Sequence, residues 1–145
     1  MSDCLVGMRV LALDIGEARV GIAVSDPGLR VASPVCVLPA QEVLSCAKSW
    51  KRVLQDWEPE RLVCGLPLSL DGEEGQWAKQ VKAHAEQIAS LSQLPLFFTD
   101  ERLSSTEAKR ILREKGLSER EMRGKVDMIA ASLFLQAWLD TQAKN

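Results

Sequence analysis

The chain has 145 residues, 46% of them hydrophobic and 26% charged, which suits one globular domain over residues 1–145 and excludes a disordered or fibrous chain. The longest apolar stretches, Val20 to Val24 and Ile129 to Leu135, fall far short of the run of roughly 18 that spans a bilayer, so no membrane association is expected. A formal charge of −2 gives no molecule-wide attraction for nucleic acid, and any such binding must be local.

Residues 8–14, Met-Arg-Val-Leu-Ala-Leu-Asp, alternate and then fill with aliphatics as a strand does. Gly16 supplies a turn, and Arg19 to Ser25 resumes as a second strand, which predicts a hairpin. Val31 to Leu38 reads as a third strand, in which Pro34 requires an edge or a bulge because it has no N–H for a sheet ladder. Between Pro39 and Pro59, Val43, Ala47, Trp50, Leu54 and Trp57 recur at helical spacing and predict one amphipathic helix. Arg61 to Gly65 is a short aliphatic strand, and Gly65-Leu66-Pro67 opens a loop running to Gly75.

Trp77, Val81, Ala85, Ile88 and Leu91 mark the next helix, and Leu96 to Thr99 a strand that delivers Asp100 and Glu101. Ser104 with Glu107, and Ser118 with Glu121, have capping-box spacing for two further helices. Val126, Ile129, Ala130, Leu133, Phe134 and Ala137 complete the series with an apolar helix face. Strands first in hairpins and then joined through helices predict a mixed sheet covered by helices, with the parallel strands opening their loops at one end.

Cys4, Cys36, Cys46 and Cys64 form no C-x-x-C pair and are expected as reduced thiols, which, with no basic segment at Met1-Ser2-Asp3-Cys4, points to the cytoplasm. A single histidine, His84, on the charged middle of a helix, sets aside imidazole-based zinc sites; a surface or boundary place is expected for it. The tryptophans Trp50, Trp57 and Trp77 lie on apolar helical stripes, which favours packing over base stacking.

Asp14, the Asp100-Glu101 pair and Asp127 each fall where a strand or helix boundary meets the loop end of the sheet. A lone buried carboxylate is costly, so Asp14 needs a metal, a basic partner or solvent. Carboxylates converging from separate elements suit hard cations such as Mg²⁺ or Mn²⁺ held against a phosphodiester. The same residues also suit turns and helix starts, and spacing alone does not show that they converge. From Arg102 to Lys125 there are eight basic residues against four acids, a balance that fits either a solvated helix face or phosphate binding.

Four ordered motifs carry a resemblance over about Met8 to Asp140: LALDIGEARVGIAVSD at 11–26, GLPLSLDGEEG at 65–75, DERLSS at 100–105 and VDMIAA at 126–131. The chain resembles the YqgF/RuvX-like family, described both as Holliday junction resolvases and as pre-16S rRNA nucleases. The resemblance implies an α/β, ribonuclease-H-like fold, a mixed five-stranded sheet with helices on both faces. It also implies a nuclease whose catalytic and metal-binding residues are Asp14, Glu101 and Asp127, with Mg²⁺ or Mn²⁺ as cofactor. Arg19, Arg102, Ser105, Arg123 and Lys125 are the expected substrate contacts, and Asp100 a supporting or capping group. Ala18 and Ser69 depart from residues common in the family, a basic residue and an asparagine. RNA is favoured as substrate, with a four-way DNA junction as the alternative, and the chain is expected as a monomer or weak homodimer.

Two other classes compete. An Asp-x-Gly hairpin also opens actin-like and sugar-kinase ATPases, but those need two such domains and 145 residues supply one. A non-catalytic nucleic-acid-binding module on the same fold is the stronger rival, because fold does not fix function.

Overall fold

A computed structural model describes residues 8–69, 71–102 and 104–143, with the side chains of Ser104 and Ser105 outside the described part. In chain order the elements are β1 (Arg9–Ile15), β2 (Arg19–Ser25), β3 (Ala32–Pro39), α1 (Ala40–Leu44), α2 (Lys48–Trp57), β4 (Pro59–Leu66), α3 (Gln76–Ser92), β5 (Leu96–Asp100), α4 (Ser104–Glu114), α5 (Glu119–Arg123) and α6 (Val126–Ala143). The five strands form one sheet in the order β3-β2-β1-β4-β5, antiparallel between β1, β2 and β3 and parallel between β1, β4 and β5.

Strand alternation assigns the two faces. Leu11, Leu13, Ile15, Val20, Ile22, Leu62 and Cys64 point to one side and bury Val43, Trp50, Val81, Ala85 and Ile88 of α1, α2 and α3. Val10, Ala12, Ala23 and Val63 point to the other and bury Ala131, Phe134, Leu135, Trp138 and Leu139 of α6. The mixed sheet with helices on both faces is therefore as expected. Pro34 meets both of its conditions, since β3 is an edge strand and its register with β2 shifts between Ile22 and Ala23.

The helix expected between Pro39 and Pro59 is broken in two. Cys46 adopts φ 56°, a left-handed conformation that no helix interior contains, and its N–H turns back to the Val43 carbonyl at 3.2 Å. A periodic stripe can run on through such a break, because α1 and α2 both rest on the same apolar face. Strand β4 extends through Gly65 to Leu66, so that glycine is a strand residue and not the start of the loop. Ser118 and Glu121 form the expected capping box on α5, whereas the side chain of Ser104 lies outside the described residues. Cys36, Cys46 and Cys64 are free thiols, and Cys4 falls outside the described residues. Among the described residues no helix is long and apolar enough to cross a membrane.

Candidate active site

The parallel strands β1, β4 and β5 all end on one edge of the sheet, and three acids meet there. Asp14 follows the alternation of Val10 and Ala12 on β1, so its carboxyl points to the α6 side, where it is 8% exposed. Glu101 comes directly after β5, with its N–H donated to the Leu66 carbonyl at 3.2 Å. Asp127 stands in the first turn of α6, where the helix dipole favours a negative charge.

Glycines make this meeting possible. Gly21 pairs with Asp14 across β1 and β2, and a Cβ on it would lie 2.2 Å from the backbone carbon of Asp127. The first turn of α6 can sit this close to the sheet only over a residue without a side chain. On β4, which separates Asp14 from β5, a Cβ on Gly65 would lie 2.9 Å from Cβ of Glu101 and 2.6 Å from the Phe134 ring. Gly65 thus leaves Glu101 a path over β4 toward Asp14. A glycine inside a strand signals such close approach, a signal present at Gly21 that the sequence reading passed over.

The electrostatics are those of acids held together with too little positive charge. Burial first, then the charge of Glu101, hydrogen bonding with it and the charge of Asp127, push the Asp14 carboxyl up to about 9. Burial likewise raises Glu101, with the charges of Asp127 and Asp100 adding to it and hydrogen bonding to Asp14 opposing it. Burial and mutual repulsion thus favour a protonated carboxyl in this pair, which titrates as a unit. Asp127 is raised by burial and held back by Arg19, whose Nε lies 3.6 Å away.

A cleft of about 350 Å³ is lined by Asp14, Glu101 and Asp127 together with Ile15, Gly16, Pro67, Leu68, Trp77, Arg102 and Thr106. Asp100 points at Arg102, accepting from its backbone N–H at 2.8 Å and its Nε at 2.6 Å, so Asp100 steadies a cation of the cleft. A second cleft of about 420 Å³ shares Asp127 and is lined by Arg19, Lys109, Glu119, Met122, Arg123 and Val126. Arg19 and Arg123 therefore stand beside the acids, and Lys109 joins them. Lys125 lines neither cleft, and the Ser105 side chain lies outside the described residues.

Among the described residues, no three acid, thiol or imidazole groups are set closely enough to hold an ion as they stand. Their chemistry nevertheless suits one. The donors are all oxygen, and Asp14 is a buried carboxyl facing two more acids. Ser69 closes its own loop, its N–H donating to the Glu73 carbonyl at 3.0 Å and its hydroxyl meeting Asp71. The Ala18 carbonyl accepts from Ala40 N–H at 2.9 Å, so that turn is fastened through its backbone.

Trp77 was expected to pack in the core or at its edge; it is half-buried against the core and also lines the acid cleft. His84 is half-buried as expected of a boundary residue, edge-on to Trp77, with Nδ1 buried and unpartnered among the described residues.

Residues 8–141 match a family model described as RuvX: Holliday junction resolvase. A relative from Anaeromyxobacter sp. (strain Fw109-5), carrying the name "Putative pre-16S rRNA nuclease", is 45% identical over 133 residues, 92% of this chain and 97% of its own. Among solved structures, Thermus thermophilus RuvC superposes with a TM-score of 0.54 at 14% identity, covering 94% of this chain and 97% of that one. The Fowlpox virus resolvase, solved with Holliday junction DNA, gives 0.53 at 13% identity over 93% of this chain and 99% of its own. Both share the ribonuclease-H-like fold described above.

Proposed function

The chain belongs to the RuvX family, and we propose that it is a metal-dependent nuclease that processes the 5′ end of pre-16S rRNA. The observation that carries the nuclease reading is the convergence of Asp14, Glu101 and Asp127 on one cleft beside a basic one. Asp14, Glu101 and Asp127 would hold the cation. When bound, Mg²⁺ or Mn²⁺ would polarise the scissile phosphate and acidify a water molecule.

The chain's own groups do the rest. A cation held by Asp14 and Glu101 would compete with protons for carboxyls that burial raises, so apparent metal affinity should rise with pH. Arg102, aligned by Asp100, and Arg19, close to Asp127, offer positive charge on either side of the acids. Arg123 and Lys109 continue that charge away from the acids and would hold a neighbouring phosphate of the same strand. Asp127 lines both clefts, which supports a path for the scissile phosphate between them.

RNA is the reading favoured by the relative's name, and a four-way junction is the reading favoured by the family description. A resolvase needs two sites related by two-fold symmetry to cut two strands, so the two readings differ in assembly as well as substrate. The test is cleavage of a 5′-extended ribosomal RNA precursor and of a four-way DNA junction by the purified protein with Mg²⁺ or Mn²⁺. Site-selective cutting of the precursor supports RNA processing; paired symmetrical cuts in the junction, with the precursor untouched, would replace it by the resolvase.

A further inference from the structure

The four tryptophans are not equivalent. Trp50 is fully buried and its indole N–H donates to Ser92 at 2.9 Å, so it is a core residue with its polar atom satisfied. Trp57 and Trp138 each lie under an arginine, with Arg9 at 5.7 Å and Arg61 at 5.9 Å from the ring centroids. Trp77 packs against the same core as Trp57, but among the described residues no arginine lies over it and it borders a cleft. It is half-buried in the first turn of α3 and lines the cleft that contains Asp14, Glu101 and Asp127. Its ring contact is edge-on, with His84 at 6.4 Å and 81°. Among the described residues no cation or parallel ring covers it, and its N–H has no hydrogen-bond acceptor.

The lining of that cleft is divided by chemistry. Its acids come from β1, the end of β5 and α6, whereas Pro67, Leu68 and Trp77 come from the segment that leaves β4 and enters α3. Acids that would hold a cation serve a phosphate, but a half-buried indole lining the cleft beside them does nothing for a phosphate. It offers a flat apolar surface to a flat apolar group, and in a polynucleotide the group attached next to each phosphate is a base. The second cleft, on the other side of Asp127, carries Arg19, Lys109 and Arg123 and suits backbone phosphates.

We propose that Trp77 is the stacking platform for an unpaired base adjoining the scissile phosphate of an RNA strand. The strand then runs from Trp77 past Asp127 to Lys109 and Arg123. The proposal rests on the nuclease reading for the identity of the strand, but not for its test, which needs no cleavage. Stacking requires the base to be unpaired, so the site selects single-stranded segments or junctions of single and double strand.

The experiment is equilibrium binding of a short single-stranded oligoribonucleotide in EDTA to the wild type, Trp77→Phe and Trp77→Leu, with melting curves taken on each. Stacked bases contribute enough that Trp77→Leu should bind about ten-fold or more weaker, while Trp77→Phe keeps most of the affinity. A single abasic nucleotide walked along the oligomer should weaken wild-type binding at one position, and that loss should vanish in Trp77→Leu. Quenching of tryptophan emission on binding should be smaller in Trp77→Phe than in the wild type, which keeps the test decisive where Trp77→Leu melts early. Wild-type affinity in a folded Trp77→Leu, abasic losses that simply add to that variant's, or equal quenching in Trp77→Phe would overturn the proposal. Trp77-dependent binding without metal-dependent cleavage of RNA would keep the platform and sink the nuclease; cleavage without Trp77 dependence would do the reverse.

Discussion

Asp14 concentrates the physics of the site. Its carboxyl is raised from 3.8 to about 9, first by burial and then by Glu101 and Asp127, so between those values the folded chain binds a proton that the unfolded chain releases. Stability of the metal-free protein therefore falls as pH rises through that window. In EDTA the melting midpoint should drop between about pH 5 and about pH 8, and Asp14→Asn, which carries no titrating group, should lose less and melt above the wild type at the higher pH. A wild-type midpoint that rises over the same interval, measured by circular dichroism, would contradict the charge balance described here. The three acids were legible in the sequence because strand ends and a helix start placed them. Gly65 and Trp77 were not, because their roles depend on neighbours distant in sequence: Phe134 and Glu101 for the glycine, Asp14 and Asp127 for the tryptophan.

At the scale of elements, the site is the result of how α6 lies on the sheet. Ala12, Gly21, Ala23 and Gly65 on the sheet and Ala131 on α6 keep that interface thin at the end where Asp127 reaches toward Asp14, while Phe134, Leu135 and Trp138 fill it further along. Gly21→Ala would set a Cβ against the backbone of Asp127, and α6 must lift to relieve it. Such overpacking costs about 1–3 kcal/mol, and the accompanying displacement of Asp127 should lower turnover by more than the stability loss explains. Urea denaturation and cleavage rates on one preparation measure both, and an unchanged rate would show that Asp127 need not sit against β2. Periodicity revealed the elements and the hairpin, but it overlooked the break at Cys46, because both halves of the stripe bury the same face and only the backbone angle records the turn.

Across the whole molecule, a sheet of mixed direction brings the ends of β1, β4 and β5 to one edge, and the net charge of −2 hides an uneven distribution. Lys109 and Arg123 share a cleft with Arg19, and binding to RNA should weaken with salt through these few contacts. Removing Lys109 or Arg123 should reduce the slope of log K against log salt by about 0.7 each for a single strand, whereas Lys125→Ala, outside both clefts, should leave it unchanged. Fold class and the candidate acids were readable from motifs; the division into an acid cleft and a basic cleft was not, since it depends on how α4, α5 and α6 pack together. The central claim is that Asp14, Glu101 and Asp127 act together as a metal-dependent cutting site. Its most direct test is cleavage of the 5′-extended ribosomal RNA precursor by wild-type and Asp14→Asn protein, each with Mn²⁺ or with EDTA. The expected result is cutting by the wild type with metal alone and none by a fully folded Asp14→Asn; equal cutting by both, or cutting that survives EDTA, would contradict it.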